Sequence, residues 1–365
     1  MPLLWRYLLR SYFQVFFLCV SGFIAILLVT RFQDIAKFAA ASSSIKSVSL
    51  FTLYQIPYIL PLAVPISCLI AAMLLFQKLS HTHELTAFRA CGLGLKPIVY
   101  PLIIAGSLLS FANFTVASEM APYCRSLSRQ LVYELVATNP LVIMQKDTVL
   151  KLHGVHVDMK SYRDGELAKD VIFITKNTSN GRIGLMTAKE LSLKDELIYG
   201  KDVTFISSID PKKEQAFDHL VIENQQSMYT KAANLTQHMQ TADWLKSNDY
   251  LPVRMLIAKK LLDRGPDRTM SKAINIEIAK RASLGLAAFT FTMVGLAYGM
   301  EIGRLRRKKG TFWAFGLAAF FMISFVATKS LKSIPLAACL AYLLPHPIIL
   351  LFCLKNMRAV SRGRE

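Results

Sequence analysis

Acidic residues are scarce in this chain of 365 residues: 24 Asp and Glu stand against 43 Lys and Arg, a formal net charge of +19. Its longest apolar stretches hold almost no charge, and Gln14, Gln55, Asn113 and His346 are their strongly polar or titratable members. A carboxylate or lysine at mid-membrane costs ~2.5–3.5 kcal/mol and is normally kept for an ion or proton relay. A proton-coupled transporter is therefore disfavoured. No G-x-x-x-x-G-K-[ST] phosphate loop is present, so ATP is not bound by that route. No Ser/His/Asp or Cys/His nucleophile signature appears either. His81-x-His83 beside Glu84 is weak evidence for a metal site, and neither a metal nor a cofactor is expected. Cysteine is too dispersed for a disulfide framework. Cys19, Cys68, Cys339 and Cys353 fall in apolar runs, Cys91 in a short loop, and Cys124 alone sits near the polar middle.

What the chain has instead is hydrophobicity in long blocks, with 53% apolar residues and a mean hydropathy of +0.38. Six runs stand out: Tyr12–Thr30, Val48–Gln77, Pro97–Ala117, Ala282–Met300, Thr311–Thr328 and Ile334–Leu354. Each is bounded by charge, and a helix of roughly 20 apolar residues crosses ~30 Å of hydrocarbon. The first run exceeds the 7–15 residues of a signal-peptide core, so a retained anchor is expected. The sequence predicts an α-helical membrane protein with six transmembrane helices, three before and three after a polar insert.

Short-loop Lys and Arg orient such helices. One set of ends carries Arg6 and Arg10; Lys78, Arg89 and Lys96; Arg304, Arg306, Arg307, Lys308 and Lys309; and Lys355, Arg358, Arg362 and Arg364. The other carries Arg31, Lys37, Lys46, Lys329 and Lys332. Both termini are thus expected in the cytoplasm and the insert on the far side. Much of the positive charge is accounted for by orientation, and nucleic acid is not an expected partner.

Within the insert the period becomes two. Val155, Val157 and Met159 alternate with polar residues, as in a strand with one buried face, and Val171–Thr175 reads as a strand covered on both faces. Further strands are expected at Ile183–Lys189, Asp202–Ser207 and Phe217–Glu223, with hairpin turns at Asp164-Gly165 and Asn180-Gly181. Strands at this spacing suit a sandwich, jelly roll or open barrel. Val253–Arg264 reads as a helix ended by Gly265-Pro266, and another starts near Ser271 and runs into the fourth span. The expected domains are 1–120, with three spans; 121–281, the exported β domain and flanking helices; and 282–365, with three more spans and a tail.

Two features could carry function. Pro57, Pro61 and Pro65 recur every fourth residue on one face of the second span, each removing a backbone donor. They form either an accommodated kink or a deformable wall beside a lipid-sized cavity. Residues 80–94, SHTHELTAFRACGLG, can form a short helix from Glu84 stopped at Gly92. Such a helix between two spans suits either a capped loop or a contact with a nucleotide-binding subunit.

This segment resembles the LptF/LptG permease family: HELTAFRACG at 83–92 is similar to that family's E-[LIV]-x-A-x-[RQH]-A-x-G signature. The three prolines, Met120-Ala121-Pro122, Glu277-Ile278-Ala279-Lys280-Arg281 and Gly295–Gly299 also fit. Helix count, insert position and length agree over essentially the whole chain. Phe88-Arg89 stands where members vary, and the insert strands do not match one by one. The resemblance implies one member of a permease heterodimer in the bacterial inner membrane. An LptB-like ATPase dimer would supply energy, and lipopolysaccharide would leave the outer leaflet of that membrane through a lateral gate. The insert would be a periplasmic β-jelly roll facing an LptC/LptA-like bridge. By family position Glu84, Leu85, Phe88 and Arg89 would lie in the ATPase-coupling helix, Arg31 and Lys37 would meet lipid phosphates, and Pro57, Pro61 and Pro65 would flank the gate. The alternatives are a membrane-anchored scaffold with a binding β domain, and a membrane enzyme acting on lipid or glycan. The second would want clustered carboxylates, whereas Asp164, Glu166 and Asp170 read as a solvated turn.

Overall fold

The computed structural model describes residues 2–42, 44–138, 155–162, 167–176, 183–194, 197–208, 220–231, 248–262, 269–300, 309–331 and 334–361. Among them six helices are long and apolar enough to cross a membrane: Leu3–Thr30, Ile45–His81, Leu95–Val132, Ser271–Gly299, Gly310–Ala327 and Pro335–Val360, spans 1 to 6. Three precede and three follow an inserted β sheet, as the sequence predicts. Several run past the apolar blocks. The helix of span 2 has 37 residues, ~55 Å at ~1.5 Å per residue, because flanking charge ends the apolar block without ending the helix.

The helices are α1 (Pro2–Thr30), α2 (Phe32–Ala41), α3 (Ile45–His81), α4 (Glu84–Ala90), α5 (Leu95–Thr115), α6 (Ala121–Thr138), α7 (Val253–Leu262), α8 (Thr269–Gly299), α9 (Lys309–Ala327), α10 (Pro335–Leu343) and α11 (Pro345–Ser361). A π-helical turn, Val116–Met120, carries α5 into α6, and a 3₁₀ turn, Asn248–Tyr250, precedes α7. Chain contacts divide the protein into two units.

The first unit comprises Met1–Thr30, Tyr54–Ser126 and Ser247–Glu365. Span 4 is its centre, burying 72% of its most apolar window inside the chain, while span 1 buries 6% and leaves Phe17, Leu18, Ile26 and Val29 exposed. Glycine allows the close approach of spans 2 and 4. A Cβ added at Gly295 would lie 2.6 Å from the Leu69 carbonyl oxygen and 2.7 Å from the Ala72 Cβ. One at Gly299 would lie 3.0 Å from the Met73 Cα. Small residues four apart let helix backbones touch in lipid, where no hydrophobic force drives them together.

The second unit comprises Arg31–Leu53 and Leu127–Lys246. Its strands β1 (Val155–Tyr162), β2 (Leu167–Lys176), β3 (Ile183–Lys194), β4 (Leu197–Ser208) and β5 (Leu220–Lys231) form one antiparallel sheet in sequence order. One face packs Val171, Met186, Ala188, Leu191, Ile198 and Val203 with Phe38 of α2, Phe51 of α3 and Val132 of α6. Phe38 and Phe51 stack at 4.4 Å. Expectation and structure differ at β2: Val171 is buried, but Ile172 and Ile174 are exposed on the opposite face, so the strand is covered on one side among the described residues. The register carries that apolar row across the sheet, Ile174 to Leu185 to Ile206 to Ile222. Asp170 and Asp202 hold left-handed backbone, φ 51° and 50°, a conformation aspartate tolerates better than most residues. On β4 the buried positions step from Ile198 and Gly200 to Val203, a change of parity that the extra residue of a bulge produces. The turns expected at Asp164-Gly165 and Asn180-Gly181 lie outside the described residues.

Candidate functional site

Between spans 2 and 3 the chain builds α4 from a sharply defined local sequence. His83, at φ 55°, precedes Glu84, and the Ala87 N–H donates to the His83 carbonyl at 3.0 Å. At the other end Gly92 takes φ 78°, with Leu93 N–H donating to the Phe88 carbonyl and Gly92 N–H to the Arg89 carbonyl, both at 3.0 Å. This paired closure is a Schellman cap, which needs the left-handed residue that glycine supplies. Leu85 is 1% exposed and Phe88 packs against the same helical core, so two of the four residues singled out on α4 are its anchors. Arg89 is half-buried, while Thr86, Ala87 and Ala90 face outward. Glu84 is half-buried; the Tyr7 hydroxyl donates to its Oε2 at 3.1 Å, and the Thr82 hydroxyl lies 2.9 Å from Oε1. Its carboxylate stands at the positive end of the helix.

The three prolines lie within the unbroken helix α3, with Pro61 and Pro65 buried and Pro57 half-buried. The Pro61 carbonyl, which Pro65 cannot bond, accepts from Asn113 Nδ2 of span 3 at 3.3 Å. Asn113 Nδ2 also donates to the Leu284 carbonyl of span 4 at 2.8 Å, so one amide joins three spans.

Arg31 and Lys37 belong to the second unit. Arg31 stands at the start of α2, paired with Asp34 at 3.3 Å, and Lys37 lies on that helix. The short amphipathic helix α2 is not among the sequence expectations, because ten residues between two charge-bounded runs read as a loop.

A polar cluster of the first unit joins residues far apart in the sequence. Arg281 of span 4 is 3% exposed. Its Nε donates to Glu277 Oε1 at 2.9 Å, Nη1 to the Leu251 and Ser118 carbonyls at 2.8 and 3.3 Å, and Nη2 to the Asn248 carbonyl at 3.0 Å. Ser118 lies in the π-helical turn, a distortion common at functional sites. Beside it Asp249 meets Lys280 at 3.6 Å and Arg125 at 4.0 Å, and the Arg125 guanidinium covers the rings of Tyr250 and Tyr58 at 4.7 and 5.1 Å. Burial pushes the Asp249 carboxyl up, but Lys280, a hydrogen bond with Glu277, and Arg125 together pull it below its ordinary value. The i,i+4 spacing of Glu277 and Arg281 was the one legible signal; the arrival of Asp249 was not.

His346 of span 6 is likewise satisfied inside the bundle. Ser283 Oγ lies 3.0 Å from Nε2 and Thr290 Oγ1 lies 2.8 Å from Nδ1. Because the Thr290 hydroxyl donates to the Leu286 carbonyl at 3.1 Å, the network assigns the proton to Nδ1 and lets Nε2 accept from Ser283. Among the described residues no group of three metal-binding side chains converges.

Compared with curated proteins the chain has no significant match. A family profile, described as lipopolysaccharide export system permease LptF/LptG, matches residues 6–358. That match covers nearly the whole chain, including both triplets of spans, the β insert and α4. The chain belongs to the LptF/LptG family of lipopolysaccharide export permeases.

Proposed function

We propose that the chain is a non-enzymatic transmembrane subunit of an ABC exporter, in which a separate ATPase dimer acts on α4. One observation carries this reading. A short helix, anchored by Leu85 and Phe88 and capped at both ends, closes the connection between spans 2 and 3. Span 3 lies between α4 and the β insert in sequence, which supports assigning them to opposite sides of the membrane. The Lys and Arg count puts α4 and both termini in the cytoplasm and the insert in the periplasm.

In this reading Glu84 and Arg89 face the ATPase while Leu85 and Phe88 hold α4 to the bundle. Arg31 and Lys37 attract the phosphates of lipopolysaccharide; a basic group near an anionic membrane surface is worth roughly 1 kcal/mol. Pro57, Pro61 and Pro65 soften span 2 beside the lateral path. The apolar row Ile174, Leu185, Ile206 and Ile222, exposed at Ile174 and Ile222 and half-buried between them, suits a β domain that hands an acylated lipid to a bridge protein. A paralogous subunit completes the membrane half of the exporter, and the little-buried span 1 suits such an assembly. Purification in mild detergent tests the reading: an ATPase and a glycolipid are expected to co-purify, and the absence of both would overturn it.

A further inference from the structure

Two side chains from the first turns of α1 reach the segment joining spans 2 and 3, one near each end. At its start the Tyr7 hydroxyl donates to Glu84 Oε2 at 3.1 Å. At its finish Trp5 Nε1 donates to the Pro97 carbonyl at 3.2 Å. That carbonyl needs an outside donor, because its helical partner would be the N–H of residue 101, and residue 101 is proline. The half-buried Trp5 supplies the missing bond and sets its ring 5.9 Å from Tyr100. Leu8, wholly buried, fixes the rotation of this end of α1, leaving Leu3, Arg6, Tyr7 and Arg10 on the exposed side.

We propose that the first turns of α1 belong to the coupling apparatus, with Tyr7 as the positioning residue that presets the Glu84 carboxylate and Trp5 as a second attachment. The proposal rests on the reading of α4 as the helix that meets the ATPase. A free glutamate loses rotamer freedom when it pairs across an interface, and one already held loses less. Holding does not block pairing. A carboxylate offers about four lone-pair sites; Tyr7 occupies one on Oε2, and the Thr82 hydroxyl takes at most one on Oε1. Displacement of α4 then reaches span 1 directly through Tyr7, and that of the start of α5 through Trp5, besides passing along the chain into spans 2 and 3.

The test uses the assembled complex with its ATPase, comparing Tyr7→Phe, Glu84→Ala and the double variant for ATPase affinity and for lipid released per ATP hydrolysed. Tyr7→Phe removes one exposed hydroxyl and keeps the ring. It is expected to lower affinity or coupling about 5-fold, the worth of one modest hydrogen bond. Glu84→Ala should lower it at least as much, and the double variant should be no worse than Glu84→Ala alone, because Tyr7 acts through Glu84. Trp5→Phe, which keeps a ring but loses the N–H, should lower lipid released per ATP with the ATPase still bound. Additive losses, or wild-type behaviour of Tyr7→Phe beside an impaired Glu84→Ala, overturn the positioning role. Wild-type coupling in Trp5→Phe removes the second attachment. Wild-type behaviour of Glu84→Ala instead contradicts the reading of α4 itself.

Discussion

Asn113 of span 3 donates to the Pro61 carbonyl of span 2 at 3.3 Å, the carbonyl that Pro65 leaves without its helical donor. Trp5 and the Pro97 carbonyl repeat the arrangement for Pro101. In hydrocarbon an orphaned carbonyl has no water to turn to, so at Pro65 and Pro101 a side chain on another helix replaces the missing N–H. The Pro61–Pro65 step of span 2 is thereby a point of attachment to span 3.

This substitution of one donor for another can be measured. Asn113→Leu should destabilise the detergent-solubilised protein by ~1–3 kcal/mol, the cost of leaving a buried acceptor unsatisfied. In a Pro65→Ala background the helix regains its own N–H, and the same change should cost less. Some loss should persist, because Asn113 also bonds the Leu284 carbonyl. Thermal unfolding of the four proteins checks this; equal losses in the two backgrounds would show that Pro65 is irrelevant to Asn113.

Gly295 should tolerate no side chain. A Cβ there would lie 2.6 Å from the Leu69 carbonyl oxygen, whereas one at Gly22 meets nothing within 4 Å. Gly295→Ala should therefore cost ~1–3 kcal/mol by overpacking, with Gly22→Ala neutral or stabilising. Melting temperatures of the two variants give the comparison, and a stable Gly295→Ala would mean that spans 2 and 4 separate at little cost.

Acid should weaken the clamp around the Asn248–Tyr250 turn. Lys280, Glu277 and Arg125 hold the folded Asp249 carboxyl below its ordinary value, against the opposing effect of burial. A depressed carboxyl contributes stability that is present above its unfolded value and is lost as pH falls through the folded one. Wild type should exceed Asp249→Asn in thermal stability at pH 7, and the gap should close on acidification below about pH 4. A gap that is absent at pH 7, or that widens in acid, would be the contrary result.

Much of the first unit was legible in the sequence, and the reason is physical. Crossing lipid imposes a length and a composition on each helix, and the charges at Arg10, Lys78, Lys96, Arg281 and Lys355 bound the apolar blocks. The cap of α4 was equally local: Gly92 ends it because only a left-handed residue closes that turn. What escaped were contacts made across distance. Arg125 reaches Asp249, and Arg281 the carbonyls of Asn248 and Leu251, through folding alone, and α2 hides between two longer signals. In the β unit alternation marked β1 and a continuous apolar run marked β2, but the burial of one face of β2 and not the other depends on Phe38, Phe51 and Val132 arriving from elsewhere.

The basic pair outside span 1 yields a functional prediction. Changing Arg31 and Lys37 together to Glu should lower photocrosslinking of lipid to the outer end of span 1 with the complex still assembled. Reversing two charges that each contribute roughly 1 kcal/mol should reduce capture by at least tenfold. Unchanged crosslinking would reduce both residues to anchors of span 1, with Arg31 held by Asp34.

The central claim, that α4 receives the ATPase stroke, is tested most directly by ATP-driven lipid release from proteoliposomes holding the complete exporter with Glu84→Lys. Reversing one member of a buried, hydrogen-bonded charge pair costs more than ~2 kcal/mol. The account predicts that Glu84→Lys inserts and expresses as wild type but releases the ATPase or hydrolyses ATP without moving lipid, and that reversing a basic residue of the ATPase restores transport. Full lipid release by Glu84→Lys would contradict it.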